Sequence, residues 1–237
     1  TADNRLLTFA MKPAPLQITW LGYVGTTGLK AMDCILADRY TIPPGCEQYY
    51  TEQVLRLPEG YVCFEPPADA PPIGPLPAAA RGRVTFGCFN NPCKLNAGVA
   101  GVWADVLRQV PNSRLVLKYR GLTDPTTQKR IRGWFVNEEI DPERIEFLGW
   151  SPGAARFHDY LRIDIALDPF PYTGGFTTCE SLWMGVPVVT WPGATFASRQ
   201  SYSHLTASGV RECIARDTAD CVRVAARLAQ DLPALAR

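Results

Sequence analysis

The sequence predicts an α/β protein whose main body is a parallel sheet covered by helices on both faces. Two observations carry this. From residue 84 onward, short runs rich in Val, Ile, Leu and Phe alternate with amphipathic segments of helix length, the pattern of repeated strand–helix crossovers. Upstream lies a shorter set of strand-like runs, set apart by prolines at positions 66, 67, 71, 72, 75 and 77. A stretch of that composition reads as an extended, semi-rigid connector. The length of 237 residues suits one large or two small domains, and 46 % hydrophobic residues suffice for a packed core.

Taken in order, residues 3–10 suit a short helix ended by Pro13 and Pro15. Residues 17–21 alternate and read as a strand, followed by a loop holding Gly22, Gly25 and Gly28. Residues 34–37 read as a second strand, 47–55 as a helix and 61–64 as a third strand. Beyond the proline-rich stretch come a strand at 84–89 and a helix at 96–110. That helix places Val99, Val102, Trp103, Val106 and Leu107 on one face behind a cap at Asn96. Strands follow at 114–119, 144–148, 163–167, 186–190 and 212–215, alternating with helices at 126–136, 152–161, 177–184, 197–207 and 218–228. In open parallel sheets ligands bind beyond the C-terminal strand ends, so the loops after strands are the places to search.

Composition narrows the function. With 24 Lys+Arg against 23 Asp+Glu the net charge is +1, which leaves no polybasic nucleic-acid arm and no acidic tail. No apolar run approaches the roughly 18–20 residues of a membrane helix, and no signal peptide is read, so neither nucleic acid nor membrane is an expected partner. The eight cysteines form no CxxC pair and the histidines are His158 and His204 alone; no metal site is expected, and free thiols fit a reducing, cytoplasmic setting. GxGxxG and GxxxxGK[ST] are missing, and Ser198 lacks a GxSxG context. The chain begins at Thr1 rather than Met and reads as part of a longer protein.

Two loops offer chemistry. Residues 89–95 (FNNPCKL) bring amides, a helix start and the cation Lys94, which together suit a diphosphate; a capped turn with a solvated lysine is the other reading. Residues 168–180 (DPFPYTGGFTTCE) pair two glycines with two threonines at a helix start, again suited to phosphate oxygens or, more simply, to an ordinary turn. Glu180 could hold both hydroxyls of a ribose or merely complement the helix dipole. His158 reads as a surface histidine and His204 as a structural one.

Four segments carry a family resemblance: PAPLQITWLGYVGTTG (13–28), VTFGCFNNPCKLN (84–96), VPNSRLVLK (110–118) and ALDPFPYTGGFTTCESLWMGVPVVTWPG (166–193). They resemble the C-terminal catalytic region of the O-GlcNAc transferase family, which includes the plant SPINDLY-type proteins. The resemblance implies a two-lobed GT-B glycosyltransferase. It divides the chain into a partial N-terminal, acceptor-side lobe (1–68), a proline-rich linker (69–83) and a C-terminal nucleotide-sugar-binding lobe (84–237). It implies inverting, metal-independent transfer of a sugar from a nucleoside diphosphate to Ser/Thr of a protein acceptor, with tetratricopeptide repeats upstream in the full-length protein. No cofactor is implied; the donor, UDP-GlcNAc or GDP-fucose, is a substrate. A non-catalytic sugar-nucleotide-binding module is the further alternative.

By that resemblance Lys94 is the catalytic residue that stabilises the departing diphosphate. Asn91, Gly175, Phe176, Thr177 and Thr178 line the phosphates, Glu180 holds the ribose, and Arg156 lies against the base. A fixed ammonium and helix-end amides are what a metal-free site needs to stabilise the charge of a leaving diphosphate. The departures from the family are specific. Arg156 stands where many members have histidine, Gly153 where a lysine occurs, Gly175 and Phe176 where His or Thr is frequent, and Val24 where proline is usual. The family's histidine-bearing N-terminal segment is not among these residues, so the catalytic base is not expected here and the isolated chain is expected to be weakly active or inactive.

Overall fold

The computed structural model describes residues 4–236. Helix α1 (Leu6–Ala10) precedes a three-stranded parallel sheet, ordered β1 (Ile18–Thr19), β2 (Cys34–Asp38) and β3 (Gln53–Leu57). Residue 3, the first of the helix expected at 3–10, lies outside the described residues. The second sheet has five parallel strands. In chain order they are β4 (Val84–Cys88), β5 (Ser113–Lys118), β6 (Ile145–Leu148), β7 (Ile165–Leu167) and β8 (Val188–Val189), and in space β6-β5-β4-β7-β8. Helix α2 (Pro77–Arg81) leads into this sheet. The crossovers use α3 (Ala97–Gln109), α4 (Pro125–Asn137), α5 (Ala155–His158) and α6 (Phe176–Trp183), and α7 (Gln200–Ala207), α8 (Thr218–Gln230) and α9 (Leu232–Leu235) complete the chain.

Side-chain alternation in the strands builds two cores, one on each face of the second sheet. Phe86, Leu115, Leu117, Ile165 and Val189 point toward α3, α4 and α8, where Val99, Trp103, Leu107, Phe135 and Ala225 meet them. Their neighbours Val116, Ala166 and Val188 point the other way, toward Phe157, Met184 and Leu205. Caps set the helix starts: Asn96 accepts from the Val99 N–H at 3.0 Å, and Asp124 accepts from the Thr127 N–H at 2.7 Å with Pro125 behind it. Gly87 lets Ile163 cross the sheet, because a Cβ there would lie 2.5 Å from Ile163 Cδ1.

The C-terminal alternation appears as expected, with differences in its weakest segments. The helix expected at 152–161 is α5 followed by a 3-10 turn over Asp159–Arg162. The strand expected at 212–215 is a 3-10 turn over Arg211–Cys213 and a single bridge, Thr190 to Ile214. The proline-rich stretch is not extended throughout. Pro77 opens α2 and Gly82 closes it with φ of 64°, a proline-first, glycine-last signature that was present in the sequence. The Asp164 carboxylate then ties α2 to the sheet, accepting from Ala78 N at 2.7 Å and from Thr85 N at 2.8 Å.

The N-terminal part departs further. The helix expected at 47–55 is one 3-10 turn, Glu47–Tyr49, followed by strand β3. Pairing decides this: β3 lies in register with β2 from Cys34↔Gln53 to Asp38↔Leu57, and the sheet overrides local helix propensity. The strand expected at 61–64 is irregular, because its backbone bonds to side chains instead. Tyr61 N donates to Asp38 Oδ2 at 3.0 Å, and the Tyr61 carbonyl accepts from Trp20 Nε1 at 2.6 Å. Tyr61 also packs edge-on against Phe196, so that this cluster joins the two sheets. Among the described residues no helix is long and apolar enough to cross a membrane.

Candidate nucleotide-sugar site

The strand order β6-β5-β4-β7-β8 reverses direction between β4 and β7. In open α/β sheets ligands bind at such a switch point, beyond the C-terminal strand ends. The loops that leave β4 and β7 there are residues 89–94 and 168–175, the same two loops that the sequence singles out.

Lys94 closes the 3-10 turn Pro92–Lys94 and reaches across the switch point. Its Nζ donates to the Thr173 carbonyl at 2.7 Å and to Asn90 Oδ1 at 2.9 Å, and it lies 4.2 Å from the Tyr172 ring centroid. Burial pulls the Lys94 pKa below the ordinary lysine value, while the Asp168 carboxylate opposes that shift. The ammonium is therefore held, partly desolvated, between the two loops.

Asn90, not Asn91, bridges the loops. It is buried, and its Oδ1 accepts from both Lys94 Nζ and Thr177 Oγ1, the latter at 3.2 Å. Asn91 instead caps the 3-10 turn, accepting from Cys93 N at 3.0 Å and leaving its amide NH2 available to a ligand. An Asn before Pro signals such a cap in the sequence, whereas the inward turn of Asn90 depends on where β4 ends.

The second loop is anchored from below. Asp168 is buried, and burial raises its pKa; its Oδ1 accepts from Gly174 N and its Oδ2 from Thr190 Oγ1, both at 2.7 Å. Gly174 is required because a Cβ would fall 2.3 Å from Thr178 Oγ1. Gly175 caps α6, and its carbonyl accepts from Thr178 N and Cys179 N. The preceding N–H groups, of Phe176 and Thr177, have no carbonyl within the helix to bond and stand at its positive end.

Thr178 is placed differently from Thr177. It is 2 % exposed and its hydroxyl shares a 2.7 Å hydrogen bond with Ser201 Oγ, so this group is turned inward and braces the turn. Phe176 is exposed at the opening of α6 and lies against Phe64, with ring centroids 6.2 Å apart.

One turn further along α6, Glu180 accepts from Arg156 Nε at 2.7 Å and from Tyr160 OH at 3.1 Å. A carboxylate offers about four lone-pair sites, so two remain for hydroxyl donors of a ligand. Glu180 and Arg156 border a cavity of about 170 Å³, with Phe89, Lys118, Tyr119 and Trp150. At its floor the buried Lys118 ammonium pairs with Asp159 at 2.8 Å, and Ser151 Oγ donates to the same carboxylate oxygen. The sequence-predicted residues thus form two adjoining groups: Lys94, Asn91, Gly175, Phe176 and Thr177 at the helix end, and Glu180 and Arg156 at the cavity. Sequence reasoning missed Asn90, Asp168, Tyr160 and the Lys118–Asp159 pair, which lie far apart in the chain.

The model of glycosyl transferase family 41 matches residues 1–65 and 76–237. This chain belongs to that family. Among family-41 relatives, it is 40 % identical over 239 residues to a rice protein described as a probable UDP-N-acetylglucosamine–peptide N-acetylglucosaminyltransferase SPINDLY, covering 99 % of this chain and 26 % of the rice protein. The solved Thermobaculum terrenum O-GlcNAc transferase, in a mutant form, is 40 % identical with a TM-score of 0.93, covering 98 % of this chain and 44 % of that one. Sucrose-phosphate synthase from Thermosynechococcus elongatus shares the fold alone, at 15 % identity and a TM-score of 0.57, over 87 % of this chain and 51 % of that one. The fold is thus that of the GT-B glycosyltransferases. The chain spans about a quarter of the length of the SPINDLY relatives.

Proposed function

We propose that this chain is the donor-binding region of an inverting, metal-independent protein O-glycosyltransferase that moves GlcNAc from UDP-GlcNAc to Ser/Thr hydroxyls. The observation that carries the reading is the convergence of Lys94 Nζ and the first N–H groups of α6 at the β4/β7 switch point. Both are sources of positive potential, fixed before a ligand arrives. A leaving nucleoside diphosphate gathers negative charge as the sugar bond breaks, and charge stabilisation of this preorganised kind lowers that barrier without a metal. Glu180 would take the ribose hydroxyls and Arg156 would face the base, with Asn91 donating to a phosphate oxygen. The likeness to the rice N-acetylglucosaminyltransferase SPINDLY and to the Thermobaculum O-GlcNAc transferase supports GlcNAc as the sugar.

In this reading residues 1–68 belong to the acceptor-side lobe, 69–83 link, and 84–237 form the donor lobe. The catalytic base and the tetratricopeptide repeats belong to the rest of the full-length protein. Eight free cysteines fit a cytoplasmic setting. The test is calorimetric titration with UDP and with GDP, with no metal added. Binding of UDP and not GDP is expected. GDP alone would replace the GlcNAc donor with a GDP-sugar such as GDP-fucose, and binding of neither would refute the donor site.

A further inference from the structure

Gln200 opens α7 at the seam between the two sheets and is 5 % exposed. Its Oε1 accepts from Tyr61 OH, on the N-terminal side, at 2.9 Å. Its Nε2 points to two carbonyls on the other side, Thr173 at 3.5 Å and Ala197 at 3.4 Å. The Thr173 carbonyl is also the 2.7 Å acceptor of Lys94 Nζ, and Ala197 O accepts from both Thr173 N and Thr173 Oγ1 at 3.0 Å. A side chain here must accept on one side and donate on the other. An amide does both; a carboxylate would repel the two carbonyls, and an aliphatic chain would leave Tyr61 OH buried without an acceptor.

The Tyr61 end of this connection is rigid. Its ring meets Phe196 edge-on at 4.9 Å and stacks on His204 at 6.0 Å. Burial keeps its hydroxyl protonated, its pKa raised above the ordinary tyrosine value, so it remains a donor. Asp38 Oδ2, which accepts from Tyr61 N, also accepts from Ser203 Oγ one turn along α7. Gln200 Oε1 further lies 3.0 Å from where a Cβ on Gly175 would stand, so the same amide borders the glycine that caps α6.

We propose that Gln200 is a positioning residue of the donor site. It joins Tyr61 to the Thr173 carbonyl and so holds Lys94 and the Gly174–Thr177 turn in diphosphate-binding geometry. The seating of the N-terminal sheet on α7 then sets the phosphate site, although no residue of that sheet touches Lys94 in the hydrogen bonds of the site. The role rests on the donor-site reading above, and the test separates the two.

The variants are Gln200→Leu and Tyr61→Phe, each checked by thermal unfolding. The first readout needs no nucleotide: peptide-level acylation of Lys94 by an N-hydroxysuccinimide ester, relative to exposed Lys129. Losing the shared carbonyl network frees the amine, and the Lys94:Lys129 ratio is expected to rise about threefold or more in both variants. The second readout is affinity for UDP against uridine: UDP is expected to weaken about five- to tenfold, the loss of one buried hydrogen bond, with uridine within about twofold. A variant that lowers the unfolding temperature but leaves the Lys94 ratio unchanged overturns the positioning role, as does an equal loss for UDP and uridine. If the unaltered protein takes neither UDP nor GDP, the donor-site reading fails, and the acylation ratio alone decides for or against the positioning role.

Discussion

Replacing Lys94 by methionine tests the site most directly, since it removes the ammonium and keeps most of the stem. In the ligand-free protein two effects oppose each other. The variant loses charge-assisted bonds to Thr173 O and Asn90 Oδ1 but relieves the burial that depresses the Lys94 pKa. Their near-cancellation predicts a stability change within about 1 kcal/mol. Binding has no such compensation. A diphosphate would lose its fixed cation, and a hydrogen bond to a charged partner contributes about 1.5–3 kcal/mol. The dissociation constant for UDP should therefore rise roughly 10- to 150-fold. The assay is titration calorimetry with UDP and uridine, alongside thermal unfolding. A rise of less than about threefold for UDP, or an equal rise for uridine, would refute the placement of the diphosphate at Lys94.

Three further outcomes follow from the same structure. Asp164→Ala strands the buried N–H groups of Ala78 and Thr85 and should cost about 2–5 kcal/mol in urea unfolding; a loss below about 1 kcal/mol would contradict the tie between α2 and the sheet. Gly174→Ala places a methyl against Thr178 Oγ1 and the Asp168 carboxylate, so UDP binding and stability should fall together; unchanged binding would show that the turn tolerates the shift. His204 is buried, its Nε2 has no partner, and burial lowers its pKa to about 4 despite the nearby Asp38 carboxylate. The unfolded chain takes up that proton at a pH where the folded chain does not. Stability should therefore be full above about pH 6.5 and fall by about 3 kcal/mol as pH drops to about 4. Comparing the pH dependence of His204→Phe with the unaltered chain isolates this slope, and an identical slope in both would remove His204 as its source.

Local signals were sufficient where a segment's own residues decide its structure. The strand–helix alternation after residue 84, the cap at Asn96 and the turns at 89–95 and 168–175 are written in hydrophobic period, capping chemistry and glycine placement, whereas the cap at Asp124 came from the structure. The resemblance of four motifs pointed to the family and to the GT-B fold, which the family-41 match and the Thermobaculum structure show. The loop that holds Lys94 was legible as a turn after a strand, and the structure brings its ammonium to the Thr173 carbonyl and Asn90.

Other features waited for the tertiary structure, because their partners are distant in sequence. β3 forms only because β2 offers an unpaired edge, and residues 61–64 remain irregular because Asp38 and Trp20 take their backbone groups. Which of two adjacent asparagines faces Lys94 follows from the end of β4, and the hydroxyl of Thr178 is drawn inward by Ser201 on α7. The strand order that places both loops at one switch point is likewise a property of the assembled sheet. Composition and spacing set which groups each loop carries. Strand pairing and burial decide which side chains meet there, because hydrogen bonds between residues more than 80 positions apart leave no periodic trace in the chain.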